Sequence, residues 1–119
     1  MNNVKSLIVE PGKKPVQKEI GTSLEDLQAI VGGMIELVPI DDYCHVLCNE
    51  EGKIRGLKPN RVWISDILVG TFCIVRTDDE GGFTDLLEDD IVRFSELFET
   101  PLTEQECEYY FNILSAFRR

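Results

Sequence analysis

Four cysteines and a single histidine are the residues of this 119-residue chain whose chemistry could support metal binding or nucleophilic catalysis. Cys44 and Cys48 lie four residues apart with His45 between them, but zinc sites need such a close pair twice. Cys73 and Cys107 each lie alone, on an apolar strand and an apolar helix face. On a strand, His45 points away from Cys44, which prevents direct proton transfer. We therefore predict buried free thiols and no metal, cofactor or catalytic residue.

Carboxylates in adjacent positions could act as general acids and bases. They occur at 41–42, 50–51, 78–80 and 88–90. Neighbouring acids on one loop or helix rarely share a site, because a catalytic centre draws its groups together from separate elements. The sequence also has no P-loop, no GxGxxG after a strand and no HExxH. These patterns predict a protein that is not an enzyme.

Negative charge is concentrated towards the end of the chain. The net charge is −10, yet residues 1–77 carry only −1, whereas residues 78–108 carry −11. Such a stretch is either the solvated face of two helices or an anionic surface that competes for the basic groove of a partner. The candidate partner-binding residues are Glu88, Asp89, Asp90, Glu104, Glu106 and Glu108.

Positive charge groups in the first hairpin and in a later loop, where it could contact a nucleic-acid backbone. The alternative is an edge strand that lysines protect from aggregation. Trp63 is either a core or rim residue or an interface anchor beside the basic loop. The candidate contacts are Lys13, Lys14, Lys18, Lys58, Arg61 and Trp63.

The elements that must position these residues follow from apolar periodicity and from turn and capping signals. Ser23 caps the first helix, Thr103 with Glu106 forms a capping box for the last, and Gly70 indicates a bulge or a close backbone approach. The predicted strands are 4–10, 15–20, 34–38, 43–48, 53–57 and 67–75, with a turn at 49–52 and a loop at 58–61. The predicted helices are 24–31, 84 or 85 to 99, and 103–119.

This order predicts an α+β fold, with a mostly antiparallel sheet of five to six strands, helices packed on one face and two C-terminal helices. The length fits a single domain, which we divide into an α+β part over residues 1–99 and a helix over 100–119 packed on it. The apolar stripe from Cys107 to Phe117 would serve equally for packing on this domain or for a dimer seam. The oligomeric state therefore stays open.

Hydropathy gives the expected location. No run approaches the roughly 18–20 apolar residues of a membrane span, and the N-terminus lacks the basic-then-apolar pattern of a signal peptide. We expect a cytoplasmic protein without membrane contact. A pI near 4.5 argues against a dedicated duplex-DNA binder.

Five motifs follow one another in a fixed order: VEPGK at 9–13, LxxLQxxVGGxIE at 24–36, NEEGK at 49–53, GLxPNR at 56–61 and VGT at 69–71. This series resembles an uncharacterised domain-of-unknown-function family of phages, plasmids and conjugative elements of Gram-positive bacteria. The resemblance covers about residues 4–98, leaves the last helix outside, and brings no catalytic residues. Small acidic proteins of such elements are often similar to antagonists of host defence, including anti-restriction and anti-CRISPR proteins.

The leading hypothesis is a non-enzymatic accessory protein of a mobile element that binds a host defence nuclease, such as a type II CRISPR effector, through its acidic helices. One alternative is a protein that contacts RNA or another nucleic acid through its basic hairpin. Another is a passive interaction module for the replication or transfer proteins of the element. All three imply a macromolecular partner.

Overall fold

The computed structural model describes residues 3–116, which form one six-stranded sheet, a separate two-stranded hairpin and four helices. The strands are β1 (Asn3–Val9), β2 (Val16–Gly21), β3 (Ile35–Pro39), β4 (Cys44–Asn49), β5 (Pro59–Trp63), β6 (Asp66–Val69), β7 (Phe72–Thr77) and β8 (Phe83–Thr84). The helices are α1 (Leu24–Val31), α2 (Gly52–Arg55), α3 (Glu88–Leu97) and α4 (Glu104–Ser115).

The strands of the main sheet run in the order β2-β1-β7-β4-β3, and the short β8 pairs with the end of β7. Every pairing is antiparallel, including that of β5 with β6 in the hairpin. The predicted α+β class, with its antiparallel sheet and two C-terminal helices, is confirmed.

The core lies on both faces of the main sheet. On one face, Leu27 and Val31 of α1 join a buried cluster that includes Leu47. On the other face, Phe94 of α3 joins a second cluster that includes Ile74. The expectation that the helices share one face is therefore wrong, because β7 buries consecutive side chains and needs cover on both sides.

The apolar run at 67–75 forms two strands instead of the single strand predicted. Gly70 separates β6 from β7 with a φ of +70°, and a Cβ at this position would lie 2.7 Å from Cδ1 of Leu57. Gly70 is thus the close backbone approach that its place in the run indicated. Residues before it pair with β5, and residues after it enter the centre of the main sheet.

Residues 50–61 also differ from the prediction. The segment predicted as a turn at 49–52 and a strand at 53–57 instead contains α2, a single turn of helix that ends at Gly56 with a φ of +72°. The loop predicted at 58–61 lies largely in β5. Local hydropathy gave no signal for either, because α2 is a single turn closed by backbone bonds such as that from the Leu57 N–H to the Gly52 carbonyl, and β5 is defined by its pairing with β6.

Capping residues set the helix ends. The bounds of α1 are those predicted, and the Ser23 hydroxyl accepts from the N–H of Asp26. Helix α3 begins later than expected. Thr84 lies in β8 and pairs there with Arg76 of β7, and the Asp85 carboxylate accepts a hydrogen bond from the N–H of Lys5. The predicted capping box of α4 is confirmed by reciprocal bonds between Thr103 and Glu106.

The last helix lies against β5, where the Cys107 thiol contacts the Pro59 carbonyl at 3.4 Å. The predicted end of this helix at residue 119 lies outside the described residues. Within residues 3–116, no helix is long and apolar enough to cross a membrane.

Candidate interaction surface

Acidic residues from two turns meet at one end of the main sheet. Because β4 starts beside the end of β7, the turn before β4 lies next to the turn after β7. The Thr77 N–H donates to the Tyr43 carbonyl at 2.8 Å, and the Tyr43 hydroxyl donates to the Asp79 carboxylate at 3.0 Å. That carboxylate raises the pKa of Tyr43. The turns that carry Asp41–Asp42 and Asp78–Glu80 thus form one surface.

The first turn of α3 joins the same end through two arginines. Arg76 of β7 pairs with the Asp90 carboxylate at 3.0 Å, and Asp90 also accepts from the Leu87 N–H at 2.8 Å. Arg93, one turn further along α3, pairs with Asp41 at 2.7 Å. These bonds fix the start of the helix against the end of β7 and the turn at 41–42.

We name this surface the acidic end and define it by Asp41, Asp42, Asp78, Asp79, Glu80, Glu88 and Asp89. Together with the buried Asp90, Arg76 and Arg93, it has a formal net charge of −6. Apart from Asp41, its members have no Lys or Arg partner among residues 3–116. The acidic end is therefore strongly anionic, and strand pairing and the two arginine ion pairs hold its segments at one end of the sheet.

Asp41 gives a direct test of this geometry. Burial alone would raise the pKa of Asp41. Hydrogen bonds from the N–H groups of Cys44 and Tyr43 and from the Arg93 guanidinium have the larger combined effect, and they lower the pKa from 3.8 to about 2. The stabilisation from Asp41 is therefore present above pH 3.8 and lost as the pH falls through about 2. NMR titration of the carboxyl carbon should give a midpoint near 2, and Arg93→Gln should raise it. An unchanged midpoint in the variant would contradict the Arg93–Asp41 pair.

The six predicted acidic contacts do not form one face. Glu88 and Asp89 belong to the acidic end, whereas Asp90 is 6% exposed and holds the helix start, so it cannot face a partner. Glu104 begins α4, beyond the C-terminal end of α3. Since the ten residues of α3 rise about 15 Å, the α4 acids form a separate group.

The α4 acids are Glu104, Glu106 and Glu108, all exposed. Glu104 pairs with Lys58 at 2.8 Å, and Glu106 bonds the N–H of Thr103. Two of the three therefore serve the attachment and capping of α4. The turns at 41–42 and 78–80, whose sequence marks them only as runs of adjacent acids, instead lie at the same end of the sheet as Glu88 and Asp89.

Arg61 is buried, which corrects its prediction as a nucleic-acid contact. Its side chain is 3% exposed and donates to the carbonyls of Phe98 at 2.9 Å, Lys13 at 2.6 Å and Asn60 at 3.0 Å. Burial lowers the pKa of the guanidinium. Arg61 thus joins β5, the first hairpin and the end of α3, and we name this arrangement the Arg61 clamp.

Asn60 completes the Arg61 clamp from the same strand. Its side-chain amide donates to the carbonyls of Val9 and Gly70, and its oxygen accepts from Arg61 at 2.7 Å. The PNR motif at 59–61 therefore has a structural role. The Arg61 guanidinium bonds only to oxygen atoms of Asn60 and to backbone carbonyls far away in the sequence. The residues around Arg61 therefore give no sign of its burial.

The other predicted basic contacts differ in exposure. Lys13, Lys14 and Lys18 are exposed on the first hairpin, with Lys13 3.8 Å from Glu10. Lys58 is exposed and paired with Glu104. Trp63 is half-buried against the core below α3, so it belongs at the rim of the core.

The cysteines lie in the core or partly within it. Cys44, Cys73 and Cys107 are buried and Cys48 is half-buried, and all four are free thiols. Burial raises the pKa of Cys48 to about 11 and that of Cys73 to about 12. Such thiols are protonated at neutral pH, and the thiolate that would act as a nucleophile is scarce.

The single histidine lies on the opposite face of β4 from Cys44. Its Nδ1 is buried and has no hydrogen-bond partner among residues 3–116. In the same part of the chain, no three His, Cys, Asp or Glu side chains are placed to hold a metal ion.

Together, the fold and this surface define a small antiparallel α+β protein with cover on both sheet faces and one anionic end. The model of a family described as Domain of unknown function (DUF3846) matches residues 4–99, so the chain belongs to that family. The predicted domain of unknown function over this range is thereby confirmed. Helix α4 follows the matched region. No curated protein and no solved structure matches the chain.

Proposed function

We propose that this protein is a non-enzymatic accessory protein of a mobile genetic element that antagonises a host defence nuclease. The acidic end would occupy a basic groove of that nuclease and compete with its guide RNA or DNA. A type II CRISPR effector holds its heteroduplex in a positively charged channel, and restriction enzymes likewise bind a phosphate backbone. The setting in a phage or plasmid rests on the motif resemblance.

The observation that carries the proposal is the meeting of three acidic segments at one end of the sheet. The segments are 41–42, 78–80 and the first turn of α3, and their carboxylates remain in excess after Arg76 and Arg93 are paired. Fixed carboxylates of this density attract a cationic groove and steer its approach, since complementary potentials raise association rates. The bonds that attach these segments to the sheet also lower the ordering cost of binding.

Charge reversal at the acidic end tests this function. The variant Asp42→Lys/Glu80→Lys/Asp89→Lys changes exposed side chains for which the described residues show no hydrogen bond or ion pair. We expect about a 100-fold loss of affinity for the nuclease, because like charges would then face each other across the interface. The measurements are plasmid transformation in hosts with and without an active CRISPR or restriction system, and binding to the purified nuclease in low and high salt.

A matched control reverses three exposed acids elsewhere: Glu19→Lys, Glu25→Lys and Glu96→Lys. It has the same net charge as the test variant, so it separates the position of the charge from its total. Equal loss in both variants, or wild-type affinity that does not change with salt, would contradict binding through the acidic end.

The basic-hairpin alternative gives the opposite pattern. Lys13→Glu/Lys14→Glu would abolish RNA binding and protection, while the acidic-end variant would remain active. Burial of Arg61 and pairing of Lys58 with Glu104 reduce the cationic surface that this alternative needs. A pull-down dominated by element-encoded proteins, with no effect on defence, would instead support the passive interaction module.

A further inference from the structure

The outer edge of strand β2 is free to receive a further strand. Among residues 3–116, β2 pairs with β1 and with no other strand, and its first four residues are exposed. A free edge presents unpaired backbone N–H and C=O groups, which an added strand can bond. The opposite edge of the sheet, β3, ends at Pro39, which has no N–H to donate. The edge of β2 is therefore better suited to pairing with another chain.

A groove of about 480 Å³ lies between this edge and helix α1. Ile8 and Val16 lie opposite each other on the face of the sheet that α1 covers, and Ile30 of α1 forms an apolar wall. Val16 is nevertheless 56% exposed. A strand added to β2 would point every second side chain towards these residues. An edge beside an apolar groove is an arrangement that binds extended peptides, because the edge bonds the backbone and the groove selects the side chains.

The two ends of this edge carry opposite charges. Four exposed residues contribute them: Lys14 and Lys18 towards the start of β2, and Glu19 and Asp26 towards its end. The Asp26 carboxylate lies so close to the backbone of Gly21 that a Cβ there would collide with it. None of the four has an ion-pair partner among residues 3–116. Glu10 also lines the groove, but it lies 3.8 Å from Lys13. An occupant that matches the edge therefore carries both signs of charge, one at each end.

A second copy of this chain fits the edge poorly. In an antiparallel pair of β2 strands about a two-fold axis, residues of the same face lie opposite each other. The two registers with the greatest overlap then place Lys18 against Lys18, or Glu19 against Glu19, of the other copy. Like charges directly opposite each other are destabilising. The occupant is therefore a strand of different sequence.

The direction of the added strand follows from the rest of the sheet. Every pairing in it is antiparallel, and antiparallel ladders are slightly more stable per residue than parallel ones. An antiparallel occupant starts beside Glu19 and Asp26 and ends beside Lys18 and Lys14. Its first residues must then be basic and its last residues acidic, so that opposite charges meet at both ends.

We propose that the groove between β2 and α1 binds an extended segment of another protein, which adds to β2 in the antiparallel direction. The segment begins with Lys or Arg, ends with Asp or Glu, and carries apolar residues at alternate positions between them. These apolar side chains pack on Ile8, Val16 and Ile30, while the backbone bonds the edge of β2. None of the residues that define the acidic end lines the groove, so this inference does not depend on the proposed function.

Two peptides of identical composition test the groove. The first has two lysines, then Val-Thr-Val-Thr-Val, then two glutamates, and the second has the lysines and glutamates exchanged; both have acetylated and amidated ends. In amide NMR spectra of the full chain, the first peptide should shift the resonances of β2 and α1. It should bind about tenfold more tightly than the second, since only its charges match the edge. The absence of these shifts at about 1 mM of the first peptide, or equal or tighter binding of the second, would overturn the proposal.

A charge placed on either face of β2 tests the apolar contact. Val16→Glu puts a carboxylate into the groove and should weaken binding of the first peptide by about tenfold or more. Gln17→Glu changes the net charge equally on the opposite face of the strand and should bind within about twofold of the wild type. Thermal unfolding checks that both variants are folded. Equal affinities of the two variants would contradict packing of the segment in the groove.

An exchange of charges along the edge tests the direction. Lys18→Glu/Glu19→Lys keeps the composition and the net charge, and it leaves one cation and one anion at each end of the edge. The two peptides should therefore bind this variant with equal affinity. A variant that still prefers the first peptide by about tenfold would overturn the antiparallel arrangement.

Discussion

Arg61→Ala should lower the free energy of unfolding by about 4 kcal/mol, because it removes a buried side chain that donates to four acceptors. The guanidinium donates to three backbone carbonyls and to the Asn60 side chain within a buried setting. Its removal leaves these acceptors without donors, and each buried unsatisfied group costs about 1–3 kcal/mol. The midpoint of thermal unfolding, followed by circular dichroism, should fall by about 15 °C.

Two variants separate the geometry of the Arg61 clamp from its charge. Arg61→Lys keeps a cation but replaces the planar fork by a single ammonium, so we expect a loss of about 2–3 kcal/mol. Arg55→Ala removes an exposed arginine that pairs with Glu51 and should change stability by less than about 0.5 kcal/mol. Unfolding midpoints for Arg61→Ala and Arg55→Ala within a few degrees of each other would contradict the clamp.

Asp90→Ala should lower the free energy of unfolding by about 3 kcal/mol. Its carboxylate is 6% exposed, pairs with Arg76 and accepts from the Leu87 N–H at the start of α3. The substitution leaves a guanidinium that is 20% exposed without its partner and a helix start without its cap. Urea unfolding measures the loss.

The neighbouring acid serves as its control. Asp89 is exposed and lies one residue earlier in the same turn, so Asp89→Ala should change stability by less than about 0.5 kcal/mol. Asp90→Asn keeps an acceptor for the Leu87 N–H but loses the charge, and its effect should lie between the two. Equal effects of Asp89→Ala and Asp90→Ala would show that the Arg76 pair contributes nothing.

Local signals in the sequence predicted the parts of the fold that depend on neighbours in the chain. The caps of α1 and α4 and the close approach at Gly70 belong to this group, because each depends on groups within a few residues or on backbone freedom. The α+β class followed from the order of such elements. Strand β5 was missed, because its assignment depends on pairing with β6 across the bend at residues 64–65.

The candidate site was harder to predict, because contacts distant in sequence decide it. The sequence marks Asp41, Asp79 and Asp89 as acidic, but only the pairing of β4 with β7 and the Arg93 contact bring their segments together. Arg61 illustrates the opposite error. An arginine next to a proline and an asparagine is typical of a surface loop, and its acceptors at residues 13 and 98 cannot be inferred from its surroundings.

The central position of β1 and β7 also affects how the chain folds during synthesis. Leu7 pairs with Ile74, so β1 cannot form this pairing until 67 more residues have been synthesised. At a synthesis rate of about 5–20 residues per second, this interval lasts several seconds. Until then β1 has only β2 beside it, and an isolated hairpin is marginally stable. The lysines at 13, 14 and 18 lie on that hairpin, and they would hinder aggregation of the nascent chain before its sheet can close.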